Sequence, residues 1–216
     1  MNIGILGGTG PAGRGLAVRS AAAGHRVIIG SRDAERAQGV ADSLRSDNPG
    51  LDLSITGGTN EEAAALELVV VATPWEGAVA TVKGLAAQLD GTVVVSMVNA
   101  LTKEGREMLP LYPPRGSMAA QIAAAIPAAK VAASFHHLPA SEMESLGSGL
   151  EADVLVCGDD VEARDATIAL IDTIGGLRGL DAGSLAQASP IEAFTAVCIT
   201  VNIRHKAHST LRLAGL

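Results

Sequence analysis

The sequence predicts a doubly wound parallel α/β sheet, followed by a smaller α/β-helical part, on three observations. The chain opens with a short apolar strand, Ile3 to Leu6, which runs into Gly8-x-Gly10-x-x-Gly13 and a helix-like stretch from about Pro11 to Ala23. Strand-like and helix-like segments then alternate through most of the length, the pattern of a parallel sheet with crossover helices. Leu68 to Thr73 is continuously apolar, as in a strand buried on both faces.

The glycine run lies between a strand and a helix, the context a dinucleotide fingerprint requires. Gly8 allows the tight turn, Gly10 lets the backbone approach a pyrophosphate, and Gly13 lets helix and strand pack closely. The free N–H groups and dipole at the helix N-terminus favour an anion there. The fold expected is therefore of Rossmann type. The second strand, Arg26 to Gly30, ends in Ser31-Arg32-Asp33, where an NAD-binding chain usually carries an acidic residue for the ribose 2′-hydroxyl. Arg36 follows Arg32 at helical spacing. A hydroxyl and two guanidinium groups suit a 2′-phosphate, so the reading is NADP rather than NAD.

The remaining elements follow in order. Asp33 caps a second helix to about Arg45. Asn48-Pro49-Gly50 is a turn, Leu51 to Thr56 a short strand broken by Gly57-Gly58, and Asn60 the cap of a short helix to about Ala65. After the Leu68 strand, Thr73-Pro74-Trp75 leads into a helix to about Leu89. Thr92 to Met97 is a strand, Val98 to Gly116 an irregular stretch, Ser117 to Ile126 a helix, and Lys130 to His136 a strand. Pro139 to Leu150 is a polar connection. Asp153 to Cys157, Val161 to Ile174 and Leu177 to Leu180 read as strand, helix, strand. A mostly apolar helix from Pro190 to about His208 closes the chain, with a surface wide enough to bury against a second subunit. Residues 1–140 are expected to form the nucleotide-binding domain and 141–216 the smaller C-terminal one.

Composition narrows the function. With 216 residues, 48% hydrophobic, a large core can form, while only 2% are aromatic, so a flat ring finds few aromatic walls. A net charge of −7 argues against nucleic acid as a partner. Arg204, His205, Lys206, His208 and Arg212 gather near the end, either as a solvated helix terminus or as an anion-contacting patch. Cys157 and Cys198 sit far apart in apolar runs and read as buried thiols of a reducing cytoplasm. No metal-ligand spacing is present. No apolar run reaches the ~18–20 residues of a membrane helix, and the chain begins directly with a strand.

In an open parallel sheet, ligands bind beyond the carboxyl ends of the strands. Those ends carry Gly7 to Gly13, Ser31-Arg32, Thr73-Pro74-Trp75, Met97-Val98-Asn99 and His136-His137-Leu138-Pro139. Thr73 to Trp75 would adjoin the ribose and nicotinamide. Of the two adjacent histidines, at most one should face the cleft, since neighbouring strand residues point opposite ways.

Several motifs in order resemble the NADPH-dependent F420 reductases (F420:NADP oxidoreductases): Gly7 to Gly13, Gly30-Ser31-Arg32, Thr73-Pro74-Trp75-Glu76, His136 to Ala140, Val156 to Asp160, Leu180 to Gly183 and Asn202 to Leu213. The resemblance implies a homodimer and reversible hydride transfer between NADP(H) and the deazaflavin F420. It implies that Thr9 to Ala12 bind the pyrophosphate and that Ser31, Arg32 and Arg36 bind the 2′-phosphate. Thr73, Pro74 and Val98 would lie at the nicotinamide. His136, Leu138, Pro139, Ala140 and the region of Asn202 would line the deazaflavin pocket, with His136 orienting F420. His137 departs from the small hydroxyl residue of archaeal members. No catalytic triad or acid/base carboxylate pair is visible, in keeping with a reaction whose chemistry the cofactors carry. The alternatives are an NADPH-dependent reductase of another acceptor (a flavin, ferric chelate, carbonyl or imine) and a non-enzymatic NADP sensor.

Overall fold

A computed structural model describes all residues, Met1–Leu216. The strands are β1 (Asn2–Leu6), β2 (Arg26–Ser31), β3 (Ile55–Thr59), β4 (Leu68–Val71), β5 (Val93–Ser96), β6 (Leu101–Glu104), β7 (Glu107–Pro110), β8 (Lys130–Ala133), β9 (Ala152–Gly158) and β10 (Leu177–Asp181). The helices are α1 (Pro11–Ala22), α2 (Ala34–Ser46), α3 (Asn60–Ala64), α4 (Trp75–Gly84), α5 (Met118–Ala125), α6 (Ala140–Glu144), α7 (Val161–Thr173) and α8 (Ala188–His205).

Eight strands form one sheet in the order β10-β9-β8-β5-β4-β1-β2-β3, and β6 and β7 make a separate antiparallel hairpin. From β3 to β8 every pairing is parallel. The chain reverses its direction of travel between β1 and β4, the switch point at which doubly wound sheets bind ligands. The central strands are fully buried runs, Leu68–Val71 and Val93–Ser96. Alternation along them feeds two layers: Val70 and Val95 pack with Ile3, Ile5, Leu16 and Leu170, while Val69, Val71 and Val94 pack with Val82, Leu89 and Ile122.

Four local outcomes differ from the sequence expectation. β3 begins at Ile55 and passes through Gly57 and Gly58: a Cβ on Gly57 would lie 2.0–2.4 Å from the backbone of Ala37 and Gln38, so Gly57 admits α2, while one on Gly58 would lie 2.3 Å from the Glu62 carboxylate, and neither glycine breaks the strand. The cap of α3 is Thr59, in a reciprocal capping box with Glu62, which leaves Asn60 inside the helix. The stretch after Val98 contains the β6–β7 hairpin, turned at Gly105 with φ 58°. The connection after Pro139 contains α6. Arg19, itself buried, clamps it by donating to the carbonyls of Met143, Glu142 and Ser145.

β9 enters the sheet antiparallel to β8 and pairs with it only through Ala132–Gly158 and Ala133–Cys157. Along the rest of that edge, Asp153 N–H donates to Leu211 O (2.8 Å), His137 Nε2 lies 2.9 Å from Asp153 O, and Ser134 Oγ donates to Leu155 O. The C-terminal residues thus run back along β9. Asp153, fully buried, fixes them: its carboxylate takes a two-pronged contact from Arg178 and the N–H of Leu213.

Candidate active site

Beyond the carboxyl ends of β1, β2, β4 and β5 lies a cleft of about 650 Å³. Its floor is the glycine loop. Gly7 has φ 64°, a conformation L side chains avoid, and a Cβ there would strike Thr73. Gly8 N–H is held by the carbonyls of Ile5 and Gly30. A Cβ on Gly13 would lie 2.6 Å from Gly8 Cα, so α1 reaches the loop only with glycine there. Gly8 and Gly13 therefore shape the turn, while Thr9, Gly10, Pro11 and Ala12 line the cleft. At Gly10 a Cβ would meet no protein atom within 4 Å, since it would stand in the cleft. α1 starts at Pro11 with no side-chain cap and no acidic residue in its first turn, so its N–H groups are presented uncompensated.

Ser31, Arg32 and Arg36 line the β2 end of the same cleft. Asp33 caps α2 through Arg36 N–H, and Ser31 Oγ accepts from Asp33 N–H, which orders the turn carrying the arginines. Neither guanidinium forms an ion pair, although seven other basic side chains do. Two unpaired arginines beside a bare helix N-terminus make a site for a multiply charged anion. Thr73, Pro74, Trp75 and Val98 line the opposite end, at β4 and β5.

Two asparagines complete the wall: Asn60, expected only as a helix cap, and Asn99, expected at a ligand-side strand end with no role of its own. Asn60 Oδ1 accepts from Gly7 N–H at 3.1 Å and so braces the loop. Asn99 donates from Nδ2 to His136 O at 3.1 Å. The Thr59-x-x-Glu62 capping box is the sequence signal that frees Asn60 for this role.

The second half of the predicted site lies elsewhere. Pro139, Ala140 and Asn202 share a shallower recess of about 530 Å³ with Ile199, Lys206 and His208, between α6 and the end of α8. His136 and Leu138 line neither cavity. The strand expected to reach His136 ends at Ala133, so strand alternation does not set the histidine directions; Phe135 takes φ 64° and both rings turn inward. Burial holds His136 neutral, its pKa pushed down to about 3, and neither ring nitrogen has a partner. His137 is also held below its ordinary value by burial, and its bond to Asp153 O places the proton on Nε2. Of the terminal basic cluster, Arg204 pairs with Glu107 and Arg212 with Glu151, leaving Lys206 and His208 at the recess.

α1 joins the two regions. Its N-terminus faces the cleft, Arg14 pairs with Glu144 at 2.5 Å, and Gly15 lets Met143 approach so closely that a Cβ would lie 2.6 Å from it.

This fold and cleft define a dinucleotide-binding protein of the doubly wound α/β class. Residues 2–100 match the family described as NADP oxidoreductase, coenzyme F420-dependent. The chain is 36% identical to the F420-dependent NADP reductase of Methanocaldococcus jannaschii, covering 100% of this chain and 99% of that protein. It is 33% identical to the enzyme of the same description from Methanothermobacter marburgensis, over 100% and 97%. A crystal structure from Arthrobacter sp. FB24, assigned as an F420-dependent NADP reductase, superposes with a TM-score of 0.83 at 26% identity over 98% of both chains. The chain belongs to the F420-dependent NADP reductase family.

Proposed function

We propose that this protein exchanges a hydride, in either direction, between NADP(H) and the deazaflavin coenzyme F420. The F420 half of the reading rests on one observation: similarity to reductases of that description extends over the whole chain and is not confined to its nucleotide half. The unpaired Arg32 and Arg36 beside the uncapped α1 support the NADP half.

The two coenzymes supply the redox chemistry; the protein binds, orients and excludes water. Gly8, Gly10 and Gly13 shape a loop that brings Thr9 to Ala12 to the pyrophosphate. Ser31, Arg32 and Arg36 take the 2′-phosphate. Thr73, Pro74, Trp75 and Val98 hold the nicotinamide. His136, Leu138, Pro139, Ala140 and Asn202 serve F420. His136 opens onto neither cavity, so Pro139, Ala140 and Asn202 would offer F420 its contacts and a neutral, buried His136 would orient it only by supporting that segment from behind. In this reading residues 1–140 form the NADP-binding part, and 141–216 complete the F420 pocket.

α8 leaves Phe194, Val197 and Val201 exposed at helical spacing, which supports a homodimer through that face. The cytoplasm is the expected location, and no helix is long and apolar enough to cross a membrane.

The test follows oxidised F420 by absorbance with NADPH or NADH as donor. Exchange with NADPH, and little with NADH, is expected. Binding of NADPH without F420 reduction would leave a reductase of another acceptor, or a nucleotide sensor.

A further inference from the structure

Asp153, at the start of β9, is fully buried and engages all four of its polar groups with segments distant in sequence. Its backbone N–H donates to Leu211 O at 2.8 Å, and its backbone oxygen lies 2.9 Å from His137 Nε2. One carboxylate oxygen accepts from Arg178 Nε at 2.8 Å. The other accepts from Arg178 Nη2 at 2.8 Å and from Leu213 N–H at 2.6 Å. The Arg178 guanidinium holds the carboxyl below its ordinary value, at about 2, so the group is an anion throughout the working range. A buried anion is kept only where its partners are well placed, and this one has three segments of chain arranged around it.

Two of those segments lead to the recess between α6 and α8. His137 stands just ahead of Pro139 and Ala140, which form one wall. Leu211 and Leu213 belong to the tail that leaves α8 at Lys206 and carries His208 along the other wall. The walls are tied at the rim, where Ser141 Oγ and His208 Nδ1 stand 3.0 Å apart, and again behind the recess, at Asp153. The tail also sets a polar group of the recess. Asn202, half-buried on its wall, accepts at Oδ1 from Ser209 N–H at 2.8 Å and from Ser209 Oγ at 2.7 Å. A backbone N–H can only donate, so turning the amide over would set two donors against each other. Asn202 Nδ2, which bonds no protein atom, is thereby the group left to give to a ligand.

Resting on the reading that Pro139, Ala140 and Asn202 serve F420, we propose that Asp153 is a positioning residue for the hydride acceptor. It touches neither coenzyme. Through His137 on one side and the C-terminal tail on the other, it fixes the separation of the recess walls and the direction of the Asn202 amide. None of the residues lining the nucleotide cleft bonds Asp153 or the tail, so its influence falls on one coenzyme alone.

The test measures the affinity of the full-length protein for oxidised F420 and, separately, for NADPH, both by calorimetry. Asp153→Asn keeps the shape, gives up the charge and sets an NH2 group against Arg178 or Leu213 N–H. It is expected to weaken F420 by roughly tenfold, the worth of one hydrogen bond to a charged group, and to leave NADPH binding as in wild type. In turnover the loss should fall on KM for F420 and not on kcat. Leu213→Pro deletes only the N–H that the carboxylate holds, at an exposed residue outside the core, and should give a smaller loss of the same selectivity. Loss of both ligands in equal measure in either variant is the mark of a merely structural role and overturns the proposal. Unchanged F420 affinity in Leu213→Pro overturns it too, even if Asp153→Asn does not fold. In both cases the F420 reading stands. Failure of wild type to bind F420 would remove that reading and this role with it.

Discussion

Gly10 and Gly13 are the same residue type three positions apart, yet they do different things. A methyl at Gly13 has nowhere to go but into Gly8, so Gly13→Ala should destabilise the fold by about 1–3 kcal/mol, read as a lower denaturation midpoint. A methyl at Gly10 meets no protein atom, so Gly10→Ala should melt like wild type and lose nucleotide affinity by steric exclusion, read by calorimetry with NADPH. A Gly10→Ala variant that melts like wild type and binds NADPH as tightly would show that Gly10 does not border the ligand. For Arg32 and Arg36, which make no ion pair, replacement of both by Ala should raise KM for NADP by about 10- to 100-fold while KM for NAD stays near its original value. At this scale the sequence was informative where a residue type has a single physical use. Ser31-Arg32 and the glycines were read from spacing alone. Asn60 was read only as a cap and Asn99 only as part of a ligand-side strand end, because an asparagine serves caps, turns and ligands alike, and only the fold chooses among them.

Among elements, misreadings arose where packing decided. Gly57 and Gly58 look like a strand breaker in one dimension; in three, Gly57 is the seat of α2 and Gly58 makes room for the Glu62 carboxylate of the α3 capping box. The β6–β7 hairpin is largely exposed, so it carries no apolar alternation to reveal it. α8 docks on the N-terminus of α5 by one carboxylate: Glu192, buried, accepts from Met118 N–H at 2.7 Å and Ala119 N–H at 3.0 Å. Burial outweighs those two bonds and raises its pKa to about 7, above the ordinary value of 4.5. The folded protein therefore holds a proton there that the unfolded chain has released. The corresponding stabilisation is complete below the ordinary carboxylate range and is lost as pH rises through about 7. Melting temperatures of wild type and Glu192→Gln, compared from about pH 5 to about pH 8, should show the flatter profile in the variant. A parallel pair of profiles would mean that Glu192 is ionised throughout.

For the whole molecule, the order of strand and helix predicted the parallel half of the sheet and its cleft, because alternation leaves little choice of topology. The antiparallel entry of β9 was invisible, since β9 is a buried apolar strand whichever way it runs. The proposed dimer belongs to this scale too: Val197→Glu on the exposed face of α8 should yield monomers by analytical ultracentrifugation with the NADPH affinity kept, whereas an unchanged sedimentation coefficient would place the subunit contact elsewhere. The partial seam between β8 and β9 bears on how the molecule breathes. Residues close to the end of a chain ordinarily trade their amide hydrogens with solvent fastest. Here Ser209 N–H is held by Asn202 Oδ1 and Leu213 N–H by the buried Asp153, so deuterium uptake at the last residues should lag behind that of the exposed β6–β7 hairpin. Arg178→Ala would free that carboxylate and let exchange spread from the tail into the amides of β9, so that the C-terminal residues act as a latch on the last strands to join the sheet.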